Sequence, residues 1–314
     1  MTLNPQTNMI LVTTYQNPDL DGMACAIAHA ELLIQQGEEA LAGIFGKLHR
    51  EAEHVMRTFN LERPLDATLF IDQVDEIILT DASDLRGLSP LIDPQKVTTV
   101  IDHRKDYNPD DFPNADFQIE LVGSAATLVT EKFIERGFIP GESAVCLLAG
   151  AIVSNTVNFQ NKVTTQRDRE AFDWLKNQRE LPEDFVQQLF ESKSMFTNEN
   201  LFSEIEHDAT AFDFADKRIG IAQLEIINAQ TFIADFQEQL FDALRALHQK
   251  NKIDHGFLSI VDIDQGRTIF ICDDEYMKIS LSQATGVEWQ GHTAYTNGIM
   301  MRKEIVPHLR KVII

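Results

Sequence analysis

Cysteine is scarce in this sequence, and long hydrophobic runs are absent from it. The three cysteines, Cys25, Cys146 and Cys272, lie far apart, so their spacing fits neither a zinc site nor a disulfide framework, and we expect free thiols. No apolar run is long enough to span a membrane, and the first residues, Met1-Thr2-Leu3-Asn4-Pro5, lack the basic and then apolar order of a signal peptide. We therefore expect a soluble, cytoplasmic protein without a membrane partner.

Basic residues are also in short supply. Lysine and arginine number 27 against 49 aspartates and glutamates, which gives a net charge of −22. This charge opposes attraction to nucleic acid and to anionic membranes, so we exclude duplex nucleic acid as a partner. It would also repel a polyphosphate, unless bound cations and a local cluster of arginine and lysine hold such a substrate.

The N-terminal stretch holds the first candidate site. The apolar run Met9-Ile10-Leu11-Val12 precedes Asn17-Pro18-Asp19-Leu20-Asp21-Gly22 and a stretch of helical spacing, which predicts a strand, a loop and a helix. Pro18 ends the strand, so Asp19 and Asp21 should lie at its carboxyl end, where open α/β sheets bind ligands. Neighbouring carboxylates repel unless a cation neutralises them, and their oxygens suit manganese or magnesium. Taken alone, such a pair more often caps a helix through an Asx turn.

The same pattern recurs after two further predicted strands. Glu76–Thr80 is followed by Asp81, and Val97–Ile101 is followed by Asp102-His103-Arg104. Because the carboxyl ends of parallel strands meet at one edge of a sheet, these side chains can converge with the two N-terminal aspartates. Three such strand ends in one domain, one of them with a histidine, favour a metal centre over separate turn caps.

The later elements are predicted in the same way. Gly123-Ser124-Ala125-Ala126 opens a helix through Arg136, with Ser124 as its N-cap. The free backbone N–H groups there either hold phosphate or only begin the helix. A polar stretch places the domain boundary near residue 192. Beyond it we expect strands at 219–225, 256–262, 268–272 and 276–281, and one long helix at 229–250.

Together these elements predict an α/β protein of two domains. Residues 1–192 form a doubly wound domain with a mainly parallel sheet, residues 193–314 form a smaller α/β domain, and the active site lies in the cleft between them. Near the C-terminus, Arg302 and Lys303 lie between Gly298 and Pro307, which indicates a structured segment. An arginine fork beside a lysine charge suits a bound phosphate.

Taken in chain order, these motifs are similar to those of one family. Asn17-Pro18-Asp19-Leu20-Asp21, Asp81, Asp102-His103-Arg104 and the segment from Gly298 to Pro307 resemble the DHH phosphoesterase superfamily. The similarity is greatest to its branch of manganese-dependent inorganic pyrophosphatases, exopolyphosphatases and prune-like proteins, and it extends over nearly the whole chain. It implies that one or two Mn²⁺ or Mg²⁺ ions activate a water molecule, which attacks a small phosphorylated substrate.

The resemblance also implies a set of ligands. Asp19 and Asp21 would bind the ions, Asp81 would bridge them, and His103 would be a nitrogen ligand. Asn155, in Ser154-Asn155-Thr156, stands in place of the family's last metal-binding aspartate and would be a weak ligand, since an amide lacks the negative charge.

Further roles follow from the same resemblance. The residues with catalytic roles would be Asp81, His103 and Arg104. The basic residues that bind substrate would be Arg104, Arg302 and Lys303. The residues that support the ligands without touching an ion would be Asn17 and Asp102.

Other positions depart from the family's pattern. Tyr15 stands in place of a metal-binding histidine, and a neutral phenol with a pKa near ~10 is a poor ligand for manganese. Arg104 replaces the second histidine of the motif, as it does in prune-like members. Met300 and Met301 stand where the basic signature has serine and arginine.

Two functions therefore compete. The first is a metal-dependent phosphohydrolase that acts on a phosphoanhydride or a small phosphate ester. The second is a degenerate family member that binds a phosphorylated ligand or a partner protein with little or no turnover. Cleavage of short oligonucleotides or cyclic dinucleotides ranks last, because the sequence has no G-G-G-H stretch and no aromatic residues interleaved with basic ones. A homodimer is left open.

Overall fold

The computed structural model describes residues 8–105 and 107–313, and this part of the chain divides into two compact units. The first unit runs through Phe159 and includes Val163–Leu189. The second unit contains Gln160–Lys162 and the chain from Phe190 onward. The division falls three residues before the predicted boundary at 192, inside helix Phe185–Lys193.

The first unit is built on a six-stranded parallel sheet. Its strands are β1 (Ile10–Thr13), β2 (Ala40–Ile44), β3 (Leu65–Asp66), β4 (Glu76–Thr80), β5 (Val97–Asp102) and β6 (Asp116–Ile119). Their order across the sheet is β3-β2-β1-β4-β5-β6, and every pair is parallel. All four residues of β1 are buried, as expected of a central strand that is covered on both faces.

Helices connect and follow these strands. They are α1 (Leu20–Gln35), α2 (Arg50–Thr58), α3 (Ala125–Arg136), α4 (Glu142–Asn155), α5 (Gln166–Gln178) and α6 (Phe185–Lys193). The run from Ala144 to Ser154 in α4 is buried at every position, which explains its continuous apolar sequence. Helix α4 packs against α1, and Gly150 lies where an added Cβ would come within 3.2 Å of Leu20. The N-terminal end of α1 is thereby fixed against the end of α4.

The second unit has a mixed sheet. Its elements are α7 (Leu201–Asp208), β7 (Thr210–Phe214), β8 (Lys217–Ile226), α8 (Ala229–Asp235), α9 (Gln237–Asn251), β9 (His255–Asp262), β10 (Arg267–Ile271), α10 (Glu275–Thr285), β11 (Trp289–Gln290), β12 (Thr293–Tyr295) and α11 (Arg302–Leu309). The strand order is β11-β12-β10-β9-β8-β7. Strands β8 and β9 are parallel and are joined through α8 and α9, whereas the other pairs are antiparallel.

The predicted fold class is therefore confirmed, while some elements differ. The predicted strand at 276–281 is wrong, because these residues lie in helix α10. The predicted helix at 229–250 is two helices, interrupted at Phe236. Strands β2, β3, β7, β11 and β12 were not predicted. Within the described residues, no helix combines the length and the apolar character that crossing a bilayer requires.

Candidate metal centre

Three predicted ligands lie together at the carboxyl edge of the first sheet. Asp21 lies in the first turn of α1 after β1, Asp81 follows β4, and His103 follows β5. These strands are direct neighbours in the sheet, so their ends meet. One ligand atom from each of the three side chains lies within 4.8 Å of the others.

The His103 ring is oriented for ligation. Its Nδ1 donates to the main-chain oxygen of Val122 at 3.0 Å, which directs Nε2 toward the two acids. Nε2 is 3.5 Å from Oδ1 of Asp81 and 3.9 Å from Oδ2 of Asp21. Burial disfavours the charged ring, but Asp81 and Asp21 outweigh it and raise the pKa of His103 to about 9. A divalent ion at this position would take the place of that proton.

Asp21 is the most firmly held of the acids. Its Oδ1 accepts from the Ser124 hydroxyl and the Ala126 N–H, and its Oδ2 accepts from the Ala125 N–H, all at 2.9 Å. These donors form the N-terminus of α3, where unpaired N–H groups attract an anion. Ser124 is the N-cap of α3, as predicted, and the N–H groups considered for phosphate bind Asp21 instead.

Asp81 occupies an unusual backbone position. It has a left-handed conformation with φ of 53°, and its N–H donates to the oxygen of Ile101 at 2.8 Å. The side chain is only 4% exposed. Burial, followed by the nearby charge of Asp21, raises the pKa of Asp81 to about 7. The protein thus holds two acids close together where a cation would relieve their repulsion.

Asp102 and Arg104 support this edge. Asp102 is fully buried, and it accepts from the N–H of His103 at 2.7 Å, from the N–H of Arg104 at 3.2 Å and from the Ser83 hydroxyl. The Arg104 guanidinium contacts Asp102 at 3.3 Å, donates to the main-chain oxygen of Asp81 and lies 3.9 Å from its Oδ1. The side chain of Arg104 is 40% exposed, so the guanidinium also reaches solvent.

Asp19 lies outside the cluster of three. Its carboxylate caps α1 by accepting from the Gly22 N–H at 3.0 Å, and its own N–H donates to the Tyr15 hydroxyl at 3.1 Å. Burial, followed by the charges of Glu51 and Asp21, raises the pKa of Asp19. Its role as a metal ligand stays a prediction.

Tyr15 and Asn17 shape the loop before Asp19. Burial, followed by the charges of Asp19 and Asp81, raises the pKa of Tyr15 well above its usual value, so the phenol is neutral. Asn17 has a left-handed backbone with φ of 55°, and its Oδ1 accepts from the Lys47 N–H at 2.9 Å. Asn17 thus connects the loop to the chain that follows β2 and does not lie in the cluster of three ligands.

Asn155 lies at the end of α4 and faces Asp21. Its amide nitrogen donates to Oδ2 of Asp21. In this orientation Asn155 contributes a hydrogen-bond donor, whereas a metal ligand would contribute an oxygen.

Two buried acids were not identified from the sequence. Asp168 accepts from the Gly123 N–H at 2.9 Å and from the Thr127 hydroxyl at 2.6 Å, which fixes the turn that binds Asp21. The capping box of Thr165 and Asp168 at the start of α5 was a usable sequence signal. Glu51 accepts from the Leu20 N–H at 3.3 Å and from the Ser154 hydroxyl, but nothing local distinguishes it from a surface acid.

The predicted basic pair lies in the second unit. Arg302 begins α11, and its guanidinium contacts the Asp208 carboxylate at 2.7 Å and the Ile221 oxygen at 3.1 Å. Lys303 is exposed. The charge of Arg302 is therefore balanced by an acid of its own unit, and its role in substrate binding stays a prediction.

Comparisons with known proteins cover nearly the whole chain. Residues 9–151 match the family model described as DHH family, N-terminal domain, and residues 187–312 match the DHHA2 domain. The chain is 27% identical over 313 residues to a probable manganese-dependent inorganic pyrophosphatase of Clostridium acetobutylicum, with 98% of each covered. It is 29% identical over 312 residues to one of Deinococcus radiodurans, covering 96% of this chain and 98% of that protein.

Solved structures agree with these matches. The crystal structure of a putative family II inorganic pyrophosphatase of Methanococcus jannaschii aligns with a TM-score of 0.76 at 26% identity, covering 97% of this chain and 99% of that one. An exopolyphosphatase-related protein of Bacteroides fragilis aligns with a TM-score of 0.52 at 9% identity, covering 98% and 91%, and this likeness concerns the fold alone.

Proposed function

The chain belongs to the DHH family, and on this premise we propose that it is a metal-dependent phosphohydrolase. It acts on a phosphoanhydride or a small phosphate ester, and inorganic pyrophosphate is the first substrate to test. The observation that carries the proposal is the cluster of Asp21, Asp81 and His103, whose ligand atoms lie within 4.8 Å of one another at the sheet edge. Two carboxylates and one imidazole suit Mn²⁺ or Mg²⁺. When bound, such an ion lowers the pKa of a water molecule and neutralises phosphate oxygens.

The residues around the cluster have distinct roles in this proposal. Asp21, Asp81 and His103 hold the ion, and Asp19 at the adjacent cap is a further ligand. Asp102 orients His103 and Arg104 through their backbone N–H groups. Arg104 presents a permanent charge to a phosphate, since its guanidinium is partly exposed beside Asp81.

The remaining features of the proposal come from composition. The net charge of −22 supports a small phosphorylated substrate over nucleic acid or a membrane surface. A cytoplasmic location is part of the same proposal. The domain limits 1–192 and 193–314 stay predictions, which limited proteolysis tests. The homodimer stays open, and analytical ultracentrifugation tests it.

A second candidate is a family member that binds a phosphorylated ligand without turnover. Two observations favour it: the Asn155 amide donates to Asp21, and the neutral Tyr15 hydroxyl accepts from the Asp19 N–H. Both residues stand where the resembled family has metal ligands, so metal binding should be weaker here.

Phosphate release separates the two candidates. We would incubate the protein with pyrophosphate, polyphosphate, a cyclic nucleotide and a cyclic dinucleotide, each with Mn²⁺, and measure inorganic phosphate. Because the cyclic substrates release none when only a diester bond breaks, their products are also separated by chromatography. Hydrolysis of pyrophosphate that requires Mn²⁺ and is lost in Asp81→Asn supports the hydrolase. Asp72→Asn, at an exposed acid of the same unit, is the matched control. No turnover of any substrate refutes the hydrolase and leaves the binding protein.

A further inference from the structure

We propose that the candidate metal centre takes up a single divalent ion per chain, because the charge of Arg104 lies beside Asp81 and the Asn155 amide occupies an oxygen of Asp21. This inference rests on the proposed function of the same site. It concerns the number of ions, which the resemblance leaves at one or two.

The first step concerns the lone pairs of Asp21. A carboxylate offers about four positions for hydrogen-bond donors or metal ions. In Asp21 these are taken by Ser124, Ala126 and, at 3.5 Å, the Cys25 thiol on Oδ1, and by Ala125 and Asn155 on Oδ2. The Ala125 and Ala126 donors are fixed in the backbone of α3, whereas the Asn155 amide can turn about its own side chain. One ion can therefore displace Asn155 from Oδ2, and no position is left for another.

The second step concerns the charge beside Asp81. The guanidinium of Arg104 lies 3.9 Å from Oδ1 of Asp81, contacts Asp102 at 3.3 Å and donates to the main-chain oxygen of Asp81. These contacts hold a permanent positive charge next to the acid that would bridge two ions. A second divalent ion at Asp81 would have to lie close to this charge, and the two would repel.

The third step concerns the ligands on the Arg104 side of Asp81. Tyr15 lies under the guanidinium, with 5.8 Å from Cζ of Arg104 to the ring centroid. The Tyr15 hydroxyl accepts from the Asp19 N–H, and Asp19 itself caps α1. Because Asp19 is assigned to the single ion and already accepts from Gly22, a second ion there would find only a neutral phenol, which is a poor ligand for manganese.

The count of bound ions tests the inference directly. The full-length protein is stripped with EDTA and dialysed against increasing Mn²⁺, and bound manganese is measured by elemental analysis. Electron paramagnetic resonance at saturation then reports whether the ions are isolated or spin-coupled. We expect one Mn²⁺ per chain with the spectrum of isolated ions. Two ions with a spin-coupled spectrum overturn the inference, and no bound ion overturns both the inference and the metal-dependent part of the proposed function.

Variants test whether Asn155 weakens the binding of Mn²⁺. Asn155→Asp adds an anion beside Asp21 in place of the competing donor, and it should tighten Mn²⁺ binding by about tenfold. Asn158→Asp, which adds the same charge at an exposed position shortly after α4, should leave the affinity unchanged. Equal affinities in Asn155→Asp and the wild type overturn the role of Asn155.

A triple variant tests whether a second ion can be restored. Tyr15→His, Arg104→His and Asn155→Asp together should raise the ratio to two and produce spin coupling. If the triple variant does not fold, the wild-type count still decides the inference. A wild type that binds one ion and releases no phosphate supports the single-ion inference and refutes the hydrolase. A wild type that binds two ions and hydrolyses pyrophosphate refutes the single-ion inference and supports the hydrolase.

Discussion

Asp21 connects α1 to α3, so we expect the free energy of unfolding of the metal-free protein to depend on its side chain. Asp21→Ala would leave the Ala125 N–H and the Ser124 hydroxyl without their acceptor in a buried position, while the Ala126 N–H keeps its bond of 3.2 Å to the Ser124 hydroxyl oxygen. A buried donor without a partner costs about 1 to 3 kcal/mol, and water entering the space would offset part of this. Removing Asp21 also relieves its repulsion of Asp81, so we expect a loss of about 3 kcal/mol in the free energy of unfolding.

The comparison variant is Asp19→Ala. Asp19 makes one capping bond to Gly22, and loss of an N-cap typically costs about 1 kcal/mol. Both variants are unfolded with urea in EDTA at neutral pH and followed by circular dichroism, so that metal binding does not contribute. If Asp21→Ala is no less stable than Asp19→Ala, the hydrogen bonds of Asp21 do not hold α3, and the structural reasoning for Asp21 is wrong.

Three further predictions follow from other parts of the chain. Mn²⁺ at about 100 times its dissociation constant should stabilise the first unit by about 2.7 kcal/mol, which raises the melting temperature by about 5 to 10 °C. Asp81→Ala should abolish this shift, and an equal shift in the variant would mean that Asp81 is not part of the site. Burial, followed by the charge of Lys132, lowers the pKa of His29 from 6.5 to about 4 in the folded protein. Between these pH values the histidine is protonated in the unfolded chain but not in the folded one, so stability should fall as pH drops from 6.5 to about 4. His29→Leu should flatten that decline by up to about 3 kcal/mol in urea unfolding, and an unchanged pH profile would contradict the burial of His29. Arg302→Ala should destabilise the second unit by about 2 kcal/mol in calorimetry, because Asp208 and the Ile221 oxygen lose a partner that is only partly exposed. Lys303→Ala should change stability by less than about 1 kcal/mol, and equal losses would refute the distinction.

The cluster of Asp21, Asp81 and His103 could be predicted from the sequence because its signals are local. Each ligand follows a short apolar strand, and strand ends in a parallel sheet meet at one edge. The N-cap role of Ser124 was equally readable, since a serine before an apolar helical run has a well-defined capping preference. What the strand ends could not reveal is which donors each acid accepts from.

Helix α10 shows why one element was mispredicted. Met277, Ile279 and Leu281 alternate with polar residues, which is the period of a strand. In the structure Met277 and Leu281 are buried one helical turn apart, while Ile279 is 59% exposed. The side chain of Asp274 caps the helix by accepting from the Met277 N–H at 3.2 Å. A capping residue thus overrode a short alternating pattern, and a six-residue window is too brief to distinguish the two periods.

The hydrogen-bond and ion-pair partners of the predicted site residues could not be predicted from the neighbouring sequence. Asp21 and Asn155 are 134 positions apart, and Arg302 and Asp208 are 94 apart. Nothing in either segment of the sequence indicates its partner. The ion pair of Arg302 is a clear case, because a cation expected to meet phosphate is bonded to a carboxylate of its own unit.

The residues of the candidate site are held in place by contacts within the protein. Asp21 is fixed by α3, and His103 is fixed by the Val122 oxygen and the Asp102 carboxylate. None of these contacts requires an ion, so a family member could keep this geometry after its metal affinity had fallen. Arg104 and Asn155 set how readily the carboxylates bind a cation, which the number of bound Mn²⁺ ions tests, whereas phosphate release separates a hydrolase from a binding protein.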